Sequence, residues 1–336
     1  MAVKKLGNQT VRLLNPPSII STATIVGPKE GEGPLARYFD KILNDDMFGE
    51  DSWEKAESKL TRESVKAALN KAKLNETDME YMFGGDLLNQ LMPTSFAARD
   101  LQIPFFGLYG ACSNMTESLS LAAMTIDGGY ADNVVVTTSS HFSTAERQFR
   151  FPLESGTQRP LTSQWTVTGS GSAIVSATGD GPYITYATTG KVVDFGIKDA
   201  TNMGAAMAPA AVDTIKTHLN DTGFKTDDYD LIITGDLGRI GFEIALELMQ
   251  KEGYDLTEVF KDCGLEIFDI ERQDTHSGGS GCGCSAVVFC GYLYEQLTLK
   301  DLKKIMLVTT GALLSPTSSL QGESIPCIAH AITIES

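Results

Sequence analysis

Short apolar segments ending in small polar residues alternate with amphipathic segments along most of this chain, and that alternation constrains the fold more than any other feature. Residues 19–25 read as an early strand, and 61–72 as a helix with Val65, Ala68, Leu69 and Ala72 at helical spacing. Thr61 followed by Ser64 gives that helix only part of a capping box. The stretch 27–54 between them has weak periodicity and reads as an excursion. A short strand over 81–83 runs into Gly84-Gly85-Asp86, followed by a short helix over 94–101 and a strand end over 104–109. An apolar helix over 114–127 and a buried strand over 132–139 come next. Segments 171–178 and 183–189 read as an antiparallel pair joined by Gly179-Asp180-Gly181-Pro182. The remainder keeps the rhythm, with helices over 204–219, 241–251 and 284–296 and strands over 231–234, 304–309 and 325–333. Such alternation predicts a layered α/β architecture. The element order divides it into two similar halves, 1–190 and 191–336.

Composition narrows the function. A 42% hydrophobic fraction over 336 residues is enough for a substantial core. The balance of 27 Lys+Arg against 43 Asp+Glu leaves a net charge of −16, and no basic cluster interrupts it. General nucleic-acid binding is therefore excluded, because it needs a basic stripe. A small acidic ligand is not excluded, since a buried pocket responds to its own lining more than to the distant surface. Six cysteines are too few for a small-domain disulfide framework. The N-terminal region offers only Leu13-Leu14 where a signal peptide needs a longer apolar run. The longest apolar stretch, 286–294, is about half a membrane span, so a soluble chain is expected.

Ligands of open α/β sheets bind beyond the carboxyl ends of strands, which singles out Cys112, Asp236 and His276 at strand-to-helix junctions. Cys112 precedes a helix whose free N–H groups would stabilise a thiolate. The alternative is a small cysteine packed beneath that helix. His276 lies in Asp274-Thr-His-Ser-Gly-Gly-Ser-Gly-Cys-Gly-Cys284, where glycines admit close approach of a ligand or of a neighbouring loop. His141 follows a strand and can reach the same end of the sheet. His218 reads as a surface residue on the polar side of its helix, and His330 as a structural residue of the last strand. A metal centre from His276, Cys282, Cys284 and Cys290 is not expected, because the CxC pair lacks a second pair at zinc-like spacing. GxGxxG is incomplete at Cys284, and neither GxxxxGK[ST] nor GxSxG occurs. Asp45-Asp46 and Asp227-Asp228 read as solvated faces.

Gly-Ala-Cys-Ser at 110–113, the late His-Ser-Gly-Gly-Ser-Gly loop and the terminal Thr-Thr-Gly-Ala-Leu together resemble the thiolase and ketoacyl-synthase superfamily. Longer segments at 16–40, 83–99 and 274–286 resemble a sporulation branch of it, the soluble dipicolinate-binding members of the spore's dipicolinic acid uptake machinery. The resemblance implies a thiolase-like fold of two similar βαβαβαββ halves in an αβαβα arrangement, commonly dimeric, with a pocket where the halves meet. Cys112 then matches the superfamily's nucleophile at the pocket base. His276 falls in the loop where thiolases place an essential His and third-class ketoacyl synthases an Asn. Asp236 stands where condensing enzymes carry their middle His, and an Asp cannot supply the neutral imidazole that polarises a thioester carbonyl. The C-terminal Gly-rich loop is altered to Gly311-Ala-Leu-Leu-Ser-Pro316. Asp86, at the end of its strand, would face the same cavity or cap the following turn.

The resemblance thus implies a non-catalytic protein that binds pyridine-2,6-dicarboxylate through Asp86, Cys112, His141, Asp236 and His276. It implies no resident cofactor, with calcium able to travel with the ligand, and delivery to membrane subunits of the dipicolinate uptake channel. Its site would be the inner membrane of the forespore or spore, reached through partner proteins. The alternative is an acyl-CoA-dependent thiolase or ketoacyl synthase using Cys112 as nucleophile.

Overall fold

The computed structural model describes residues 3–149 and 159–336. Ten main strands carry the architecture. The first five are β1 (Ser18–Val26), β2 (Tyr81–Gly85), β3 (Phe105–Gly107), β4 (Asn133–Ser140) and β5 (Gly169–Ser176). The second five are β6 (Tyr183–Thr188), β7 (Leu231–Thr234), β8 (Phe260–Asp262), β9 (Lys304–Ala312) and β10 (Cys327–Glu335). They lie in the spatial order β3-β2-β4-β5-β1-β6-β10-β9-β7-β8. The second run repeats the first in mirror order about the β1–β6 seam. In each run the last strand is antiparallel to both neighbours, and the three outer strands pair in parallel.

The seam corrects one expectation. Tyr183–Thr188 does not form a hairpin with Gly169–Ser176; it pairs along its length with β10 and meets β1 only at Tyr183↔Ser18. The Gly179–Pro182 turn therefore carries the chain from one run into the other. Adjacent strands joined by a Gly-rich turn look like a hairpin locally, and only the long-range partner shows otherwise.

Helices fill three layers. On one outer face lie α1 (Trp53–Ala72) and α2 (Met92–Leu101). In the middle lies α3 (Asn114–Asp127), followed in the chain by α4 (Phe142–Phe149). On the other outer face lie α5 (Met203–Thr222) and α6 (Gly238–Lys251), and α7 (Cys282–Val288) returns to the middle. Every residue of α7 is buried, as a helix covered on all sides requires. Its continuation, residues 289–299, passes through one π turn before ending at Lys300.

α1 begins at Trp53, earlier than its sequence periodicity indicated. Ser52 caps it by accepting from the Lys55 N–H at 3.4 Å, and Ala56 and Leu60 extend the same buried face. Thr61 is interior, with its Oγ1 3.0 Å from the Glu57 carbonyl and 2.9 Å from Ser139 Oγ. His218 is a second correction. It is fully buried between Thr188 Oγ1 at 2.7 Å and Tyr229 OH at 2.6 Å, and burial pushes its pKa down to about 4. Helix α5 is covered by sheet on one side and α6 on another, so a position read as solvent-facing lies in an interface.

Two contacts fix how closely the layers approach. A Cβ on Gly171 in β5 would stand 2.4 Å from the Ala286 carbonyl of α7, so strand and middle helix touch backbone to backbone. Glu30, fully buried in the excursion after β1, accepts from the Thr168 N–H at 3.0 Å, and burial raises its pKa to about 8. Gly171→Ala is expected to lower stability by about 2 kcal/mol or more, read from chemical denaturation, because the helix must move away from the sheet. Glu30 keeps its proton in the folded state to about pH 8, whereas the unfolded side chain loses it near 4.3. Its contribution to stability therefore declines as pH rises from about 4.5 to 8. Glu30→Gln is expected to remove that slope, so its stability advantage over wild type should widen between pH 5 and 8 in thermal unfolding.

Candidate functional site

The site forms where the ends of β3, β7 and β9 meet the middle layer. After β3 the chain turns through Gly110-Ala111-Cys112-Ser113 into α3. Ala111 adopts a left-handed conformation at φ 50°, an uncommon geometry for a residue with a Cβ. The turn is pinned by the Gly110 N–H donating to Asn114 Oδ1 at 2.7 Å and by Ser113 Oγ donating to the Gly110 carbonyl at 2.7 Å. From the second run, Thr309 Oγ1 donates to the Ser113 carbonyl at 2.9 Å. A Cβ on Gly311 would lie 1.9 Å from the Gly110 carbonyl oxygen, so the Thr-Thr-Gly-Ala segment of β9 is seated directly on the cysteine turn.

Asp236 stands two residues beyond β7. Its buried carboxylate accepts from Thr310 Oγ1 at 3.0 Å, Ser280 Oγ at 2.9 Å and the Gly281 N–H at 3.0 Å. The Cys112 thiol is close enough for its titration and that of Asp236 to influence each other. The turn holding Asp236 is itself anchored by Asp262, which accepts from Thr234 Oγ1 at 2.7 Å and from the N–H groups of Leu237 at 2.8 Å and Gly238 at 3.0 Å. Burial, against these hydrogen bonds, still raises the pKa of both carboxyls, that of Asp262 to about 7.

This environment reverses the expectation of an activated thiolate. Burial pushes the Cys112 pKa well above the ordinary thiol value, and the negative charge of Asp236 pushes it further. The Gly281 N–H acts in the opposite direction and is outweighed. Cys112 is held as a thiol in the neighbourhood of a carboxylate.

Cys112 and Asp236 come together, and the other three sequence-predicted residues are engaged elsewhere. Asp86 accepts from the Leu88 N–H at 2.8 Å, the Thr94 N–H at 3.0 Å and Thr94 Oγ1 at 2.6 Å, which makes it the tie between β2 and the first turn of α2. Burial raises its pKa to about 6. His141 is buried, with Nε2 donating to the Asp46 carbonyl at 2.9 Å and Nδ1 accepting from the Ser143 N–H at 3.1 Å; burial lowers its pKa. His276 contacts the Pro160 carbonyl at 2.9 Å through Nδ1 and Asp274 at 3.0 Å through Nε2. It fastens its loop to the segment after residue 159, and the residue of that loop that reaches Asp236 is Ser280. The loop cysteines likewise diverge: Cys282 Sγ donates to the Ala111 carbonyl at 2.9 Å and Cys284 Sγ to the Gly235 carbonyl at 3.3 Å.

A cavity of about 170 Å³ opens above Cys112. Its walls are mostly apolar, from Leu87, Ala145, Phe149, Met203 and Leu314, with polar groups at Tyr109, Glu146, Gln164, Thr166, Thr201 and Ser280. Among the described residues that line it there is no Lys, Arg or His. Sequence reasoning missed Ser280, Thr310 and Gln164. The first two sit inside motifs already singled out by their position, beside His276 and Gly311. Gln164 lies in an aperiodic loop where no pattern marks it.

Comparison with known proteins agrees with this construction. The sequence profile described as Stage V sporulation protein AD matches residues 7–335. Stage V sporulation protein AD of Bacillus subtilis (strain 168) is 45% identical over 333 residues, covering 99% of this chain and 98% of that protein. The chain belongs to the stage V sporulation protein AD family. Its fold is that of the condensing enzymes. The structure of 3-oxoacyl-[acyl-carrier-protein] synthase III from Aquifex aeolicus VF5 aligns with a TM-score of 0.58 at 14% identity, over 95% of this chain and 100% of that one. Cerulenin-bound OleA from Xanthomonas campestris aligns at 0.59 and 15% identity, over 95% of this chain and 96% of that one. In this family member, no helix among the described residues is long and apolar enough to cross a membrane.

The electrostatic coupling gives a direct test. Asp236→Asn removes the charge beside Cys112 and keeps the shape, so the pH at which Cys112 becomes alkylated should fall relative to wild type. The rate of iodoacetamide labelling against pH, read by peptide mass for Cys112, measures it. An unchanged profile would mean that Asp236 does not set the thiol's protonation.

Proposed function

We propose that this chain is a non-catalytic receptor for pyridine-2,6-dicarboxylate, taken up free or as its calcium chelate and passed to membrane subunits of a dipicolinate uptake channel during spore formation. The observation that carries the reading is the Cys112–Asp236 pair at the base of a ring-sized cavity. Condensing chemistry starts from a thiolate, and here burial, reinforced by the charge of Asp236, favours the protonated sulfur. The cavity, about 170 Å³, is close to the roughly 150 Å³ that accommodates one benzene ring in a protein core. Its apolar walls suit the ring faces, and its polar groups suit the carboxyl edge. Membership of a sporulation family supports the biological setting.

A dicarboxylate needs its charge answered, and in this reading a proton or a calcium ion that travels with the ligand does so. Attachment at the forespore membrane is through partner proteins. A homodimer is part of the same proposal, supported by the edge position of β3, where Phe106 is 52% exposed and an unpaired strand edge is a ready pairing surface.

Calorimetric titration of the purified chain with dipicolinate, with and without calcium, tests the reading. Saturable binding is expected, weakened about tenfold or more in Cys112→Ala if the thiol lies at the pocket base. Exposure to acyl-CoA should leave the protein's mass unchanged. A mass increment that disappears in Cys112→Ala would establish acyl transfer and overturn the non-catalytic reading.

A further inference from the structure

The hydroxyls that line the cavity among the described residues belong to Tyr109, Thr166, Thr201 and Ser280. Two of these residues spend theirs within the protein. Thr201 Oγ1 donates to Asp199 at 2.7 Å, and Ser280 Oγ donates to Asp236 at 2.9 Å. The Gln164 amide is spent as well, with Nε2 donating to the Asp236 carbonyl at 2.7 Å and the Gly279 carbonyl at 2.9 Å. Tyr109 OH and Thr166 Oγ1 have no hydrogen-bond partner among the described residues. Thr166 Oγ1 keeps accessible surface, and Tyr109 as a residue is 45% exposed, so it stands at the rim.

Both side chains are held by the segments that carry them. Tyr109 lies two residues beyond β3, on the approach to the cysteine turn. Burial first, then the charges of Cys282, Cys112 and Asp86, push its pKa up to about 12. The phenol end is therefore near the two sulfurs, and it stays a donor across the neutral range. Thr166 is in register with Ser280, in the parallel pairing of Trp165–Thr166 with Gly279–Ser280. Trp165 beside it is stacked on Phe142 with ring centroids 3.8 Å apart. A Cβ on Gly281 would stand 3.1 Å from the Thr166 methyl, so that corner of the side chain is packed against the late glycine loop.

An ionised dicarboxylate offers only acceptors along its carboxyl edge. A hydroxyl that donates to a carboxylate makes a charge-assisted bond, stronger than the bond to water it replaces. A carboxylate that shares a calcium ion keeps lone pairs for such donors, so the free anion and the chelate are served alike. We propose that Tyr109 OH and Thr166 Oγ1 are the donors that receive the ligand's two carboxylates, one each, and that they set the preference of the cavity for a dicarboxylate over a monocarboxylate. This rests on the dipicolinate reading above.

The test sets two ligands against variants that lack one hydroxyl or both. Wild type, Tyr109→Phe, Thr166→Val and the double variant are titrated calorimetrically with pyridine-2,6-dicarboxylate and with pyridine-2-carboxylate, in calcium and in EDTA. Each single variant should bind the dicarboxylate about tenfold more weakly. The same variants should bind the monocarboxylate within about threefold of wild type, because one carboxylate can use whichever hydroxyl remains. The double variant should weaken the monocarboxylate too. Thr166→Ser keeps Oγ1 and should stay within about threefold of wild type for both ligands. Since neither hydroxyl is used inside the protein, the single variants should melt within about 3 °C of wild type. A variant that fails to fold, or melts far below that, shows its hydroxyl to be structural and overturns the assignment. Unchanged dicarboxylate affinity in either single variant, or an equal loss for both ligands, also overturns it and leaves the dipicolinate reading intact. Failure of wild type to bind dipicolinate under any condition overturns that reading and this one with it.

Discussion

The buried carboxylate of Asp236 is the interaction on which the site depends. It gathers a hydroxyl from the end of β9 and a hydroxyl and an N–H from the late glycine loop, and its charge acts on the thiol of the turn after β3. The donors and the thiol come from segments far apart in the chain and from both runs of strands. A carboxylate out of water is stable only when its lone pairs are met, so each donor is held to a narrow position. The same charge that organises the site suppresses the sulfur beside it. One residue thereby joins the architecture of a condensing enzyme to a chemistry that differs from it.

A second layer of carboxylates supports the first. Asp262 ties down the turn that carries Asp236, and Asp86 ties β2 to α2 at the neighbouring strand end. Both use backbone N–H groups as partners instead of cations. In a chain of net charge −16 this arrangement lets acidic residues act as structural clips without drawing on the limited number of lysines and arginines. The consequence is a core that holds protons more tightly than the unfolded chain.

Much of this was legible beforehand. The α3 boundaries, β7 and the placement of Cys112 at a strand-to-helix turn followed from local apolar runs and small residues at their ends. The substitution of Asp236 for an imidazole was readable as a departure, and it points the same way as the geometry. His276 misled because it is the most reactive side chain in its loop, whereas the loop's contact with the site is made by Ser280, four positions on. Backbone direction decides which of two loop residues faces inward, and no local pattern encodes it. His218 misled for a related reason, since amphipathic spacing assumes one covered face and α5 has more than one.

Sequence by itself determined the alternation of strand and helix, the net acidity of the chain, the candidate thiol and the family resemblance. These are properties of neighbouring residues or of summed composition. Tertiary structure alone decided that β6 belongs with β10, that Cys112 is buried near Asp236, that His141 and His276 are spent on backbone carbonyls, and that Gln164 holds the Asp236 and Gly279 carbonyls together. Each of these is a contact between segments far apart in the chain or a balance of burial against hydrogen bonding. Such quantities come into being only when the chain closes on itself.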